Sequence, residues 1–210
     1  MRNSNHHDRR VRRTRKLIRE AFLQLIAEKE YNNITVTDII KKADYNRATF
    51  YRHFYDKEDL VNEITNQQIE LFISAFMFPY RKQNTIDLSK IKLDQIVIFD
   101  HILEHKDFYQ LWNRLKTIPG FAQKYTDSIK VLYNDKIIIR EALIDGVDQQ
   151  LYMQFYGYGL AGLIFNWIGN GFQESAEYMA EQLKVILQSK PSISMLYPSV
   201  RETDFYSEND

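Results

Sequence analysis

Residues 46–57 read Asn-Arg-Ala-Thr-Phe-Tyr-Arg-His-Phe-Tyr-Asp-Lys, a run in which basic, hydroxyl and aromatic side chains recur at helical spacing. On a helix, Phe50 and Phe54 lie four apart and face inward together, leaving Arg47, Thr49, Tyr51, Arg52 and His53 available to the outside. Such a face suits a duplex. Arginine reads guanine in the major groove, threonine meets a thymine methyl, and tyrosine, histidine and lysine bind phosphates. A helical hairpin with a solvated basic face produces the same pattern, and the run alone does not separate the two.

Other chemistry is thinly represented. The chain has no cysteine, which excludes disulfides, thiolate nucleophiles and Cys-ligated zinc. His101 and His105 stand four apart, a spacing that can bind a metal, but no glutamate follows the first histidine and no third ligand is evident, so no metal is expected. No Gly-rich phosphate loop, nucleophile elbow or paired-carboxylate arrangement occurs, so neither an enzyme nor a cofactor is expected. A catalytic set hidden in the C-terminal body is the enzymatic alternative, and a helical scaffold binding protein partners is another.

Charge is unevenly spread. Net charge is zero, yet residues 1–60 carry 14 Lys and Arg against 9 Asp and Glu, and the remainder carries 14 against 19. Arg2, Arg9, Arg10, Arg12, Arg13, Arg15 and Lys16 crowd the first sixteen residues against Asp8 alone. A basic end on an acidic body touches a polyanion locally without adhering everywhere. The arm that carries His6 and His7 is expected to be disordered. The N-terminus shows charge without an apolar run behind it, so no signal peptide is expected, and a cysteine-free chain suits the cytoplasm.

The elements that position these residues are helices. Gly and Pro number only 7 and 4, and no β alternation persists. Apolar pairs return every four residues over 17–26, within a helix placed at about 9–29. Thr35 and Asp38 form a capping-box pair opening a short helix whose inner face is Val36, Ile39, Ile40 and Ala43. Asn46 caps a third helix over 47–53, and Asp56 caps a fourth with Leu60, Ile64, Leu71 and Phe72 along one stripe. Further helices are expected near 88–105, 107–117, 121–143, 150–169 and 173–189, about nine in all, broken by Pro119-Gly120, Asp145-Gly146 and Gly169-Asn170-Gly171. An N-terminal unit over 1–56, a helical body over 57–189 and a frayed tail over 190–210 follow.

Residues 9–60 resemble the N-terminal domain of the tetracycline-repressor (TetR) family of regulators. The resemblance is carried by Ile34-Thr-Val-Thr-Asp-Ile39, Thr49-Phe-Tyr-Arg-His-Phe54 and Lys57-Glu-Asp-Leu60. It implies an all-α fold: a three-helix, homeodomain-like helix-turn-helix followed by a helical ligand-binding and dimerisation domain. It also implies a homodimer on a near-palindromic double-stranded DNA operator, a repressor released by a small-molecule effector or an activator of the same fold. By position, Arg47, Ala48 and Thr49 match the family's base-reading residues; Tyr51 and His53 match phosphate-gripping ones, with Arg52 beside them. Lys57 matches a lysine at the start of the fourth helix that favours a phosphate oxygen, Thr35 and Thr37 match the start of the helix crossing the backbone, and Arg12, Arg13 and Arg15 extend the footprint toward the minor groove. Two positions depart from the pattern, with Asp44 and Glu30 standing where glycine is usual. Asp tolerates left-handed backbone, whereas Glu30 implies a different terminus for the first helix.

For the body, the resemblance implies dimerisation through the last two helices, with Gly159, Gly162, Leu163, Trp167, Met179, Leu183 and Ile186 as candidate interface residues. A core internal to the protomer is the alternative for the same residues. A membrane span over 151–168 is disfavoured by Gln154, Asn166, three glycines and the lack of flanking basic anchors. An effector pocket would lie among the middle helices, lined by Phe99, Tyr109, Trp112 and Phe155. The tail of the sequence is similar to a subgroup that includes regulators of dihydroxyacetone kinase genes, from which no ligand is transferred.

Overall fold

The computed structural model describes residues 2–81, 90–131 and 148–188, with residues 2–8, 80, 81, 149 and 153 as backbone alone. Ten α-helices and no strands occur among the described residues. The N-terminal unit consists of α1 (Arg2–Glu28), α2 (Val36–Ala43) and α3 (Arg47–His53). The body follows with α4 (Lys57–Phe76), α5 (Ile98–Glu104), α6 (Lys106–Tyr109), α7 (Trp112–Leu115), α8 (Phe121–Val131), α9 (Gln149–Gly169) and α10 (Ala176–Gln188). The expected tail over 190–210 and the expected helix beyond Val131 lie outside the described residues.

The caps read from sequence are in place. Thr35 and Asp38 close a reciprocal capping box at α2, Asn46 accepts from the Thr49 amide at α3, and Asp56 accepts from the Asp59 amide at α4. Asp44 takes left-handed backbone (φ 56°, ψ 46°), the conformation for which its residue type was judged suitable. Glu30 is extended and leads into a single 3-10 turn at Tyr31–Asn33, so α1 ends without a left-handed residue there.

Three expectations need correction. The helix expected near 88–105 is confined to Ile98–Glu104, preceded by a separate 3-10 turn at Leu93–Gln95. The backbone is helical from Arg2, so the arm expected to be disordered continues α1 by two turns. The single helix expected over 107–117 is divided into α6 and α7. Leu111 joins them with ψ near 0° and a three-residue bond to Phe108, a tighter turn that brings Phe108, Tyr109, Trp112 and Leu115 all into the interior.

One continuous core runs from Ile18 on α1 to Leu183 on α10. In the N-terminal unit it gathers Ile18, Phe22, Ile26, Ile39, Phe50 and Phe54; in the body it is dominated by aromatics. Helix α4 belongs to both, with Leu60, Val61 and Ile64 buried at its N-terminal half and Ile69 and Phe72 toward its far end. Between α9 and α10 the chain reverses through Gly171 and Phe172, both at positive φ, and the Trp167 ring meets Phe172 edge-on.

Candidate nucleic-acid interface

The interface begins with what α3 hides. Phe50 is wholly buried and Phe54 nearly so, their rings 5.6 Å apart, and that pins one side of a two-turn helix to the core. The opposite side must then face outward, and Arg47, Ala48, Tyr51 and Arg52 are all exposed there. Thr49 and His53 sit half-buried at its margins. The Thr49 hydroxyl donates to the Asn46 carboxamide oxygen at 3.0 Å, which fixes its rotamer, and the Arg47 guanidinium lies over the Tyr51 ring at 5.7 Å. A reader helix gains from side chains ordered before they meet a base edge.

Electrostatics favour a polyanion here without making every group a cation. His53 is held below its ordinary pKa by burial first, then by the Arg15 and Arg52 guanidiniums. Thr35 spends its side chain on the α2 cap, where Asp38 also pairs with Lys29 at 2.9 Å and is held well below the usual carboxylate range, chiefly by that contact. Thr37 is exposed on the first turn of α2.

Lys57 makes contacts within the protomer that the sequence does not reveal. Its ammonium donates to the carbonyls of Tyr31 and Ile34, each at 2.9 Å, and rests 3.9 Å from the Tyr31 ring centre. Two of its three donors are thereby committed to the segment between α1 and α2, and burial lowers its pKa. The residue ties the start of α4 to the first two helices. The same burial, with Glu58 and Asp56 adding, raises the Tyr31 phenol to about 12.

A second tie was not visible in sequence. Glu63 on α4 receives both Arg15 and Arg19 of α1, the latter at 3.2 Å, and the Arg15 guanidinium also covers the Phe54 ring at 5.0 Å. Arg15 thus braces α1 against α3 and α4, while Arg12 and Arg13 remain exposed on α1. Tyr55, directly after α3, was also missed. It is 84% exposed while its amide is anchored to the Asp59 carboxylate at 2.9 Å, which holds a phenol out beside the reader helix.

These segments are similar to those of known regulators. Residues 18–64 match the family model described as bacterial regulatory proteins, tetR family, and residues 95–189 match that of a TetR transcriptional regulator C-terminal region. The chain belongs to the TetR family. Among its relatives, an uncharacterised helix-turn-helix regulator of Bacillus subtilis (strain 168), YxbF, is 26% identical over 87% of this chain. That match covers 47% of YxbF, so this chain spans about half the length of that relative. DhaS of Lactococcus lactis, the activator of the dhaKLM operon, is 29% identical over 70% of this chain and 89% of its own length. A solved TetR regulator from Streptococcus agalactiae superposes with a TM-score of 0.59 at 18% identity, covering 89% of this chain and 100% of that one, which supports the fold.

In the TetR body the sequence candidates separate. Phe99, Tyr109 and Trp112 are buried together with Phe121 and Tyr125. Phe155 is 73% exposed and is no wall of this interior. Phe165 takes that place, stacking on Trp112 with centroids 4.7 Å apart and planes 15° from parallel. Ten residues on a helix turn the side chain well away from the starting face, which is why Phe155 and Phe165 part company. A hollow large enough for about one water lies between Phe72, Phe76, Ile129, Gly157, Leu160, Ala161 and Ile164.

The candidate dimer residues separate likewise. Trp167, Met179 and Leu183 are buried within the protomer, with the Trp167 indole N–H donating to the Glu174 carbonyl at 3.0 Å, so the internal-core alternative holds for them. Gly159 and Gly162 are exposed, with open space where a Cβ would stand, and Leu163 is half-buried. Ile186 is exposed on α10, with Tyr178 and Val185. Helix α9 is apolar on both sides: Gly157, Ala161, Ile164 and Ile168 face the core, while Leu151, Phe155, Tyr158, Gly159 and Gly162 form an exposed stripe. His101 and His105 lie with ring centroids 4.5 Å apart, and no group of three possible ligands gathers among the described residues. No described helix is long and apolar enough to cross a membrane.

Proposed function

We propose that the protein is a cytoplasmic, sequence-specific DNA-binding regulator working as a two-fold dimer, whose duplex affinity is set by a small-molecule effector. The observation that carries this reading is α3: one side locked by Phe50 and Phe54, the other presenting Arg47, Ala48, Tyr51 and Arg52 to solvent. Arg47 and Thr49 discriminate bases; Tyr51, His53, Tyr55, Thr37 and the exposed arginines of α1 hold phosphates. Lys57 contributes by fixing the angle between α4 and the reader unit.

The exposed α9 stripe, with Tyr178 and Val185 of α10, supports dimerisation, since apolar side chains exposed along a helix favour a second surface that covers them. Two copies joined there present two reader helices to successive major grooves of a near-palindromic operator, with half-sites about one helical turn, ~34–36 Å, apart or somewhat more. The division at residue 56 falls where α4 begins, and α4 is the lever. Phe72 near its far end packs on Tyr125 and Phe165, while Glu63 and Lys57 grip α1 and the α1–α2 segment. An effector that prefers the body in a DNA-incompetent arrangement releases DNA only by that preference. Repression is the principal reading; activation by the same fold has the support of DhaS, whose name records an activator.

The test is titration of duplex DNA at rising salt, beside sedimentation of wild type and Phe155→Asp. Duplex affinity falling steeply with salt, and a dimer that dissociates in the variant, support the reading. A wild-type monomer, or binding indifferent to salt, contradicts it.

A further inference from the structure

Helix α7 is four residues long, and its side chains divide by direction. Trp112 and Leu115 are buried, and the Trp112 ring stacks on Phe165 of α9, so the helix is rooted in the body. Asn113 and Arg114 are exposed, and each donates to a carbonyl of another helix. The Asn113 carboxamide meets the Gly169 carbonyl of α9 at 2.8 Å, and the Arg114 guanidinium meets the Ile26 carbonyl of α1 at 3.3 Å.

Both acceptors lie in the last turn of a helix, where carbonyls have no intrahelical donor. At the end of α9 the amides of Asn170, Gly171 and Phe172 take the carbonyls of Asn166, Ile168 and Trp167, and Asn113 takes that of Gly169. At the end of α1 the Lys29 amide takes the Leu25 carbonyl, and Arg114 takes that of Ile26. Neither helix has a basic residue in its own last turn, although the negative end of a helix dipole favours one. For α1 the cation comes from 88 residues further along the chain.

The two acceptors belong to parts with different tasks, since α1 is in the reader unit and α9 carries the exposed apolar stripe. The chain passes between unit and body through α4, and a single helix leaves the unit able to pivot. Glu63 of α4 ties α1 at Arg15 and Arg19. Arg114 ties it again at Ile26, ~16 Å along the helix axis from Arg15. Two ties that far apart remove the pivot.

We propose that Asn113 and Arg114 form a bracket that fixes the reader unit of each protomer relative to α9, and thereby sets the half-site separation that the dimer accepts. They are positioning residues, acting on DNA through the reader unit. The inference rests on the two-fold dimer through α9. Moving one half-site by a base pair displaces it by ~3.4 Å and turns it by roughly 35° about the duplex axis. A rigid bracket does not follow, so the duplex must deform instead.

The test uses the full chain and duplexes carrying its selected inverted pair, with the half-sites moved together or apart by one and two base pairs. A duplex with a single half-site is the reference. Wild type should lose at least about tenfold in affinity on the first base pair of displacement. Arg114→Met and Asn113→Ala should each cut that loss to about threefold or less, with affinity for the single half-site held within about twofold. The chain has no cysteine, so Lys41→Cys at an exposed position of α2 takes one spin label per protomer. Without DNA, the label-to-label distance should be narrowly distributed in wild type and broad in Arg114→Met. Equal spacing profiles in wild type and both variants, losses uniform across every duplex, or an unchanged distance distribution overturn the bracket while an inverted pair leaves the dimer standing. A wild type that stays monomeric or selects one unpaired half-site overturns the dimer reading, and the bracket with it.

Discussion

Helices α2 and α3 of the N-terminal unit, and α4 that joins it to the body, each start at a side chain that caps them, Thr35, Asn46 and Asp56. In the middle of the body, α5, α6 and α7 start at Val97, His105 and Leu111, none of which makes a side-chain cap hydrogen bond, and caps return only at α9 and α10 with Asp148 and Ser175. The reader unit is thus specified by short-range chemistry, three or four residues at a time. The body is specified by aromatic rings far apart in sequence: Phe72, Trp112, Tyr125 and Phe165 meet from four different helices. The difference suits the proposed tasks: a surface that registers on a duplex needs rigid, independently set helices, while the interior proposed to take an effector gains from a core whose boundaries are negotiated collectively.

The largest effect should come from truncating the same residue type in the two regions. Phe50→Ala is expected to cost about 3–5 kcal/mol of stability, read from chemical denaturation, because its ring is wholly buried. Phe155→Ala, at an exposed position, should leave protomer stability within about 0.5 kcal/mol and shift the dimer dissociation constant instead. Equal losses in protomer stability would erase the contrast between a locked reader and an exposed body face.

Next in size is Lys57→Met. Leaving the Tyr31 and Ile34 carbonyls without the ammonium should cost about 1–3 kcal/mol of stability, with a lower Tm even without DNA. Unchanged Tm with a salt slope reduced by about one would return Lys57 to the phosphate-contact role. Arg47→Ala acts on selectivity: about 1–3 kcal/mol lost at one base pair, with affinity for random duplex little altered. Asn46→Ala should cost about 1 kcal/mol through the α3 cap, and circular dichroism melts will show it.

The smallest expected effect lies in the body. His101 has a folded-state pKa of about 4 against an ordinary 6.5, so the unfolded chain binds more protons between these values. Its contribution to stability is complete above pH 6.5 and is lost as pH falls toward 4, so Tm should drop over that window and drop less in His101→Gln. Parallel profiles for the two proteins would remove His101 from the account.

What sequence disclosed and withheld follows the same division. The Thr35–Asp38 box, the Asn46 cap, left-handed Asp44 and inward Phe50 and Phe54 all depend on neighbours within five residues, and each was legible. The link between Lys57 and the Tyr31 and Ile34 carbonyls, and that between Glu63 and Arg15 and Arg19, span more than twenty residues, and helical periodicity is silent on them. In the body, α9 is apolar on both sides, so its pattern could not tell the inward Trp167 from the outward Phe155. Neither could it show that Phe165, not Phe155, stacks on Trp112.

The most direct test of the central claim, that α3 reads sequence from a two-fold dimer, is selection of duplexes from a random pool by the wild-type chain, repeated with Arg47→Ala. The account predicts an inverted pair of half-sites from the wild type and relaxed preference at one base pair of each half-site from the variant. Enrichment of no motif, or of a single unpaired one indifferent to Arg47, would contradict it.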